Sequence, residues 1–302
     1  MNITENQFEI LSLVEREGGQ RITQRKMSAD TGLSLGNVNK AYTDLLEFGF
    51  IQVNDKKEVQ ITKSGLQVLE PYRVKRVIIV AAGFGGRMVP ITVNTPKPLI
   101  RVHGKRVIET LLDAIKAVGI PEIIIVRGYL KEQFDDLKHL YSNIIFLDNP
   151  LYNEANNIAS LLLAKDSIAN AYIMDGDLIL NNPKLIRKYE YCSNFLGAYK
   201  EVTDDWCLEV KNGYIRKTKI GGRKCYRSFG ISYWTSEDAV CLKECLEKVW
   251  KMPGGKEKFW AQIPLELCSK EFKLKIRKCT EEDIQEIDTF RELKEIDPIY
   301  NM

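Results

Sequence analysis

Two cations ten residues apart frame the part of this chain best equipped for chemistry. Arg87 follows the glycines of AAGFGGRMVPITVNTPKPL (81–99), and Lys97 sits within its T-P-K-P. The β-branched run RVIIV (76–80) leads straight into this loop, so a strand end presents the backbone of Ala81, Ala82, Gly83, Gly85 and Gly86. Glycine lets a phosphate come close to such N–H groups. The spacing is neither a dinucleotide G-x-G-x-x-G with its later acidic residue nor G-x-x-x-x-G-K-[ST]. Amides flanked by two cations suit a triphosphate better than a single phosphate. A second strand end, MDGDLIL, carries Asp175 and Asp177, whose i,i+2 spacing sends both carboxylates to similar sides. Such a pair can hold a divalent cation, although one aspartate after a strand can equally form a turn.

The elements that must position these groups alternate. EIIIV (122–126), NIIFL (143–147) and AYIM (171–174) repeat the short apolar run of 76–80, with helical stretches predicted at about 107–118, 130–140 and 156–165. That grammar predicts βαβ units and a mostly parallel, buried sheet whose ligands lie at the carboxyl ends of the strands. The first 72 residues read differently. Ile10, Leu11 and Val14 form a helical stripe, and Thr23 caps a second helix ending at Gly32. Ser34 caps a third, with Leu35, Val38, Tyr42, Leu45 and Leu46 on one face. IQV and EVQI then flank NDKK as a two-stranded wing, and ITKSGLQVLEPY resumes as helix.

Composition excludes several classes. Of 302 residues 44% are hydrophobic and 28% charged, and 44 Lys+Arg against 41 Asp+Glu leave a net charge of +3. This is the profile of an ordinary globular protein, without a general attraction to nucleic acid or membrane. The opening residues lack a basic-then-apolar leader and no apolar run is long enough to span a bilayer, so a cytoplasmic protein without a membrane partner is expected. Seven cysteines, none before Cys192 and none in C-x-x-C, predict reduced thiols rather than disulfides or zinc.

G-x-G-x-R followed by P-K-P-L resembles the sugar-nucleotidyltransferase-like superfamily. VRGYLKEQFDDL, NPLYNEANNIASL, MDGDLIL, DDWCLEV, GISYW, KFWAQIPLEL and EIDTFRELK follow in order, and the series is similar to the bacterial lic-type CTP:phosphocholine cytidylyltransferases over about residues 74–297. The helix, helix–turn–helix and wing of residues 1–72 resemble a MarR-like winged helix. The resemblance implies an α/β chain: a Rossmann-like nucleotidyltransferase domain (73–302) with a mostly parallel mixed sheet, preceded by a small winged-helix domain (1–72). It implies that CMP passes from CTP to phosphocholine, with Mg²⁺ as cofactor. Asp177 and Asp288 would be the metal ligands, Arg87 would bind the β,γ-phosphates and Lys97 the α-phosphate. Gly128, Tyr129, Asn156, Asn157 and Ser160 would join the loop in holding base and ribose. Asp175 stays open between a structural and a ribose role, and Asn156 could instead cap the helix that follows it. Neither His103 nor His139 is assigned to catalysis.

A quaternary ammonium donates no hydrogen bonds and is held by aromatic faces and nearby carboxylates. Trp206 beside Asp205, Tyr233 with Trp234, and Trp260 after Phe259 are the candidates, with Lys200 for the acceptor phosphate. Each aromatic has core packing as its alternative, and Lys200 could be a solvated edge residue. Other acceptors (phosphoethanolamine, aminoethylphosphonate, a sugar 1-phosphate) stand as alternatives. So does a transcription regulator sensing CTP or a choline metabolite. The first 71 residues hold eight Lys+Arg and ten Asp+Glu, which disfavours independent DNA binding. Two readings remain for that segment: a weak or homodimer-dependent DNA reader using Asn37, Asn39 and Lys40, or a module for protein contacts.

Overall fold

The computed structural model describes residues 2–301. They divide into two compact units: the chain up to Arg73 together with Tyr189–Tyr191, and Val74–Lys188 together with the residues from Cys192 onward.

The first unit runs α1 (Glu5–Glu17), α2 (Gln24–Thr31), α3 (Leu35–Glu47), β1 (Ile51–Val53), β2 (Val59–Ile61) and α4 (Lys63–Leu69), with β1 and β2 antiparallel. The hydroxyls of Thr23 and Ser34 accept the N–H groups of Lys26 and Asn37, and Gly32 ends α2 in the left-handed region. Phe8, Leu11, Val14, Val38 and Leu45 are buried together. Leu35 and Leu46 leave the expected stripe and are 49% and 37% exposed. Leu35 opens the helix before its packed turns begin, and Leu46 is rotated about 100° from Leu45.

The second unit runs β3 (Arg76–Ala81), a small hairpin of β4 (Arg101–Val102) and β5 (Lys105–Arg106), α5 (Val107–Val118), β6 (Glu122–Arg127), α6 (Leu137–Leu140), β7 (Ile144–Asp148), α7 (Ile158–Leu163), β8 (Ala171–Asp175) and β9 (Leu178–Leu180). The long strands β10 (Asn194–Lys211) and β11 (Tyr214–Trp234) follow, then α8 (Ser236–Trp250), β12 (Lys275–Cys279), β13 (Ile284–Glu286) and α9 (Phe290–Ile296). The sheet order is β10-β12-β11-β8-β3-β6-β7. Its β8-β3-β6-β7 half is parallel and β11 joins antiparallel to β8, so the sheet is mixed. Alternation along β3 builds two cores. Val77 and Ile79 pack toward Leu111 and Ile115 of α5, while Ile78 and Val80 pack toward Leu161 of α7 and Leu242 and Leu246 of α8. The predicted helix at 130–140 is instead a turn of 3-10 helix and four residues of α-helix, and that at 156–165 shortens to 158–163.

β10 and β11 pair along most of their length, with shifts of register between Thr203 and Trp206 and again at Cys207 and Leu208. Such bulges bend a strand and re-aim its side chains. Cys207 and Cys225 lie sulfur to sulfur across this pair, Cα atoms 5.8 Å apart, the spacing of a disulfide. The bend brings together two cysteines 18 apart in sequence, a juxtaposition that cysteine spacing did not announce.

Candidate active site

A cleft of about 520 Å³ opens where β3 and β8 end. One side of it is the expected glycine loop. Ala81, Ala82, Gly83, Gly85, Gly86, Arg87 and Lys97 all line it. Gly85 has φ +68°, and a Cβ there would come within 3.2 Å of Lys97 Cβ and 3.3 Å of Thr92 Cγ2. The loop folds tightly over the lysine stem because that position has no side chain.

Asp175 ends β8, and Asp177 follows two residues later, just before the start of β9. β9 pairs antiparallel with β13, Leu178 opposite Glu286, and so draws a segment from the far end of the chain onto this strand end. Asp288 stands just beyond β13. Its N–H donates to Glu292, which also completes the capping box of α9 with Thr289. Carboxylate oxygens of Asp177, Glu286 and Asp288 consequently lie within 4.8 Å of one another. Lys97 Nζ donates to Asp177 Oδ2 at 2.6 Å and to Asp288 Oδ1 at 3.1 Å, and Arg87 Nη2 donates to Asp288 Oδ1 at 2.8 Å.

Electrostatics follow from this crowding. Burial alone would lower the Lys97 pKa, but Asp177 and Asp288 outweigh it and hold the ammonium charged. Burial, with Asp177 and Asp288 adding repulsion, raises the Glu286 carboxyl to about 7. Asp175 is pushed well above the usual carboxylate range by burial first and then by Asp177 and Glu286, while a hydrogen bond from Trp260 opposes the rise. Gly230, at φ +63°, packs so closely that a Cβ there would run into Asp175 Oδ2. Three carboxylates that need positive charge, all oxygen donors on rigid elements, fit a hard divalent cation. The lysine ammonium between two of them marks the same demand.

Glu286 was not singled out from sequence, although E-I-D carries its signal. Period two places Glu286 and Asp288 on one side, opposite the buried Ile287. Asn149, Tyr152, Ser228, Phe229 and Gly230 also line the cleft and were not anticipated. Asn149 is a buried residue whose Nδ2 donates to Ser160 Oγ at 3.0 Å, which fixes the expected Ser160 on the wall.

The remaining expected residues divide. Asn156 does not cap a helix. Its N–H donates to Lys256 O and its Nδ2 to Glu257 O, while Asn157 Oδ1 accepts from Trp260 N, so the two asparagines bind down the loop that carries Phe259. Gly128 and Tyr129 stand behind the glycine loop, outside the cleft lining. Tyr129 N–H donates to Ala82 O, its hydroxyl to Val93 O, and its ring meets Phe84 edge-on at 4.7 Å. Trp206 and Asp205 line the cleft, and the Trp206 ring meets Phe259 edge to face at 6.3 Å. Tyr233 and Trp234 do not reach it. Tyr233 packs on Tyr172, and Trp234 donates to Ser232 within the other core, because both close β11 opposite Tyr172 and Ala171 at the start of β8, at the end of the sheet away from Asp175 and the cleft. Trp260 lies in the cleft floor at 1% exposure, stacked on Phe195 at 5.8 Å, and is no wall for a bound cation. Lys200 is paired with Glu281 at 3.0 Å, outside the lining.

Comparison with known proteins agrees with this geometry. The family description MobA-like NTP transferase domain matches residues 77–195. The chain is 34% identical over 227 residues to the 2-aminoethylphosphonate cytidylyltransferase of Lancefieldella rimae, covering 74% of this chain and 92% of that protein. It is 33% identical over 227 residues to the choline-phosphate cytidylyltransferase of Streptococcus pneumoniae, covering 74% of this chain and 97% of the other. A solved structure of CTP:phosphocholine cytidylyltransferase from Streptococcus pneumoniae superposes with a TM-score of 0.69 at 33% identity, covering 75% and 99% of the two chains. On these matches the chain belongs to the cytidylyltransferase family of nucleotidyltransferases.

Proposed function

We infer that this enzyme transfers CMP from CTP to phosphocholine, giving CDP-choline and pyrophosphate. The observation that carries this reading is the pair of aromatic rings, Trp206 and Phe259, beside Asp205 in the cleft that also holds the phosphate loop. Both Asp205 oxygens are engaged, Oδ1 by Trp206 N and Oδ2 by Arg227. Ring faces are then the main feature offered to an acceptor's positive end, which favours a methylated cation over a primary ammonium. The acceptors of the other relatives, 2-aminoethylphosphonate among them, form the competing group.

In this reading the acceptor phosphate oxygen attacks the α-phosphorus of CTP in line. A new P–O bond forms as the α–β bridging bond breaks, and pyrophosphate leaves with the electron pair. The nucleophile is already ionised, so no base is required. Arg87 neutralises the β,γ-phosphates and Lys97 the α-phosphate as charge redistributes. Asp177, Glu286 and Asp288 would hold Mg²⁺, which when bound offsets phosphate charge. The test is pyrophosphate release with Mg²⁺ across CTP, UTP and ATP, each with phosphocholine, phosphoethanolamine, 2-aminoethylphosphonate and a sugar 1-phosphate. Highest kcat/KM for CTP with phosphocholine is expected, and preference for another acceptor would reassign the substrate.

We read residues 1–72 as a winged-helix module ahead of a nucleotidyltransferase domain (73–302). Exposure of Asn37, Asn39 and Lys40 on α3 supports a DNA-reading role. Fluorescence anisotropy with random-sequence duplexes should give salt-sensitive binding, and its absence at low salt would favour protein contacts.

A further inference from the structure

Arg227 carries no sequence signal, yet its guanidinium sits among three carboxylates. Nε is 2.9 Å from Asp205 Oδ2, Nη2 is 3.1 Å from Glu286 Oε2, and Nη1 is 3.5 Å from Glu281 Oε2. Arg227 itself does not line the cleft, whereas Asp205, Ser228 and Glu286 do. Its backbone lies between two runs of β10, opposite Ala198 on one side and Cys207 on the other. The residue therefore links the aromatic half of the cleft, through Asp205, to the acidic cluster, through Glu286. Lys200 extends the chain of charges from Glu281.

A guanidinium behind a pocket for a cationic substrate would repel that substrate unless carboxylates balanced it, and here three surround it. The arrangement makes sense if the task is to occupy those carboxylates. A primary ammonium has three N–H donors and seeks a carboxylate, whereas a trimethylammonium has none and loses little when the carboxylate is already taken. We propose that Arg227 is a positioning residue that sets acceptor specificity, holding Asp205 away from the acceptor's nitrogen so that Trp206 and Phe259 receive a fully methylated cation. This inference rests on the acceptor class proposed above. A lysine could not substitute fully, since one ammonium lacks the planar fork that reaches Asp205 and Glu286 together.

The experiment compares phosphocholine with phosphoethanolamine, which differ only in methylation, in the wild type, Arg227→Met, Arg227→Lys and the double variant Asp205→Asn/Arg227→Met. Arg227→Met should lower the phosphocholine-to-phosphoethanolamine ratio of kcat/KM by about tenfold, the worth of one charge-assisted hydrogen bond. The change should lie in a lower KM for phosphoethanolamine, and because Arg227 also binds Glu286, any shift in the KM for CTP should be the same with either acceptor. Calorimetric binding of phosphoethanolamine should tighten in parallel, a readout that needs no turnover. Removing Asp205 as well should return the ratio toward wild type. Should Arg227→Met fail to fold, Arg227→Lys serves, with an expected fall in the ratio of about threefold. A ratio unchanged in the folded variants, or a loss of kcat shared equally by both acceptors, would overturn the proposal. The wild-type choice of acceptor separately judges the substrate assignment.

Discussion

Replacing Lys97 by methionine isolates the charge balance of the cleft, because methionine keeps much of the apolar stem and removes the ammonium. The lysine side chain is 10% exposed and touches Asp177 and Asp288, whose side chains are 28% and 27% exposed. Stripping one partner from a buried ion pair costs about 3–5 kcal/mol. These carboxylates keep roughly a quarter of their contact with water, and Arg87 still faces Asp288, so about 2–3 kcal/mol is the better expectation. For a unit of this size each kcal/mol moves the melting temperature about 2–4 °C, so a fall of about 4–12 °C should appear in EDTA. A divalent cation in the same cluster would replace the missing positive charge, and by mass action millimolar Mg²⁺ should recover more than half of the loss. Differential scanning fluorimetry of both proteins, with EDTA and with Mg²⁺, reads this directly. Turnover should meanwhile fall by about 10²–10³, as when a transition-state donor is removed. Equal melting temperatures in EDTA, or a Mg²⁺ response no larger than that of the wild type, would refute the charge-balance argument.

Three further expectations follow from the same geometry. Glu286 has a raised folded-state pKa of about 7, so between its unfolded value and that point the folded protein binds the extra proton. Its contribution to stability is therefore present at low pH and lost as pH rises through about 7, and thermal melts in EDTA should show a lower melting temperature at pH 8 than at pH 6. Mg²⁺ should flatten that dependence, and a pH-independent difference in EDTA would count against it. Gly85→Ala should destabilise the protein by about 1–2 kcal/mol and raise the KM for CTP, since the new methyl meets Thr92 and the Lys97 stem at a positive φ; denaturant melts and CTP kinetics check both. Trp206→Ala should raise the KM for phosphocholine by about tenfold while leaving that for CTP within twofold, and parallel changes in both would argue against an aromatic wall.

Much of the fold was legible because its signals are local. Thr23 and Ser34 read as caps because a hydroxyl before a helix has few better partners than the free N–H groups ahead of it. The strand at 76–80 and the glycine loop after it were likewise readable, since burial on both faces demands a continuous apolar run and tight approach demands glycine. Aromatics were less legible. Trp206, Tyr233, Trp234 and Trp260 are chemically alike in the sequence, and only the pairing of β11 with β8 and the stacking of Trp260 on Phe195 remove three of them from the wall. Phe259, which does reach the cleft, owes its place to a loop that accepts hydrogen bonds from Asn156 and donates one to Asn157.

The sequence by itself determined the glycine loop with Arg87 and Lys97 after β3, the carboxylates at the end of β8 and the alternating plan of the second unit. Each depends on residues close together in the chain, where steric and hydrogen-bonding preferences act without tertiary help. The tertiary structure alone decided what those groups face. Pairing of β13 with β9 carries Glu286 and Asp288 across more than one hundred residues to Asp177. The bend of β10 against β11 sets Arg227 among Asp205, Glu281 and Glu286. Charges of one sign gather at such a point only when the whole fold holds them there against their repulsion, and no local preference can announce that.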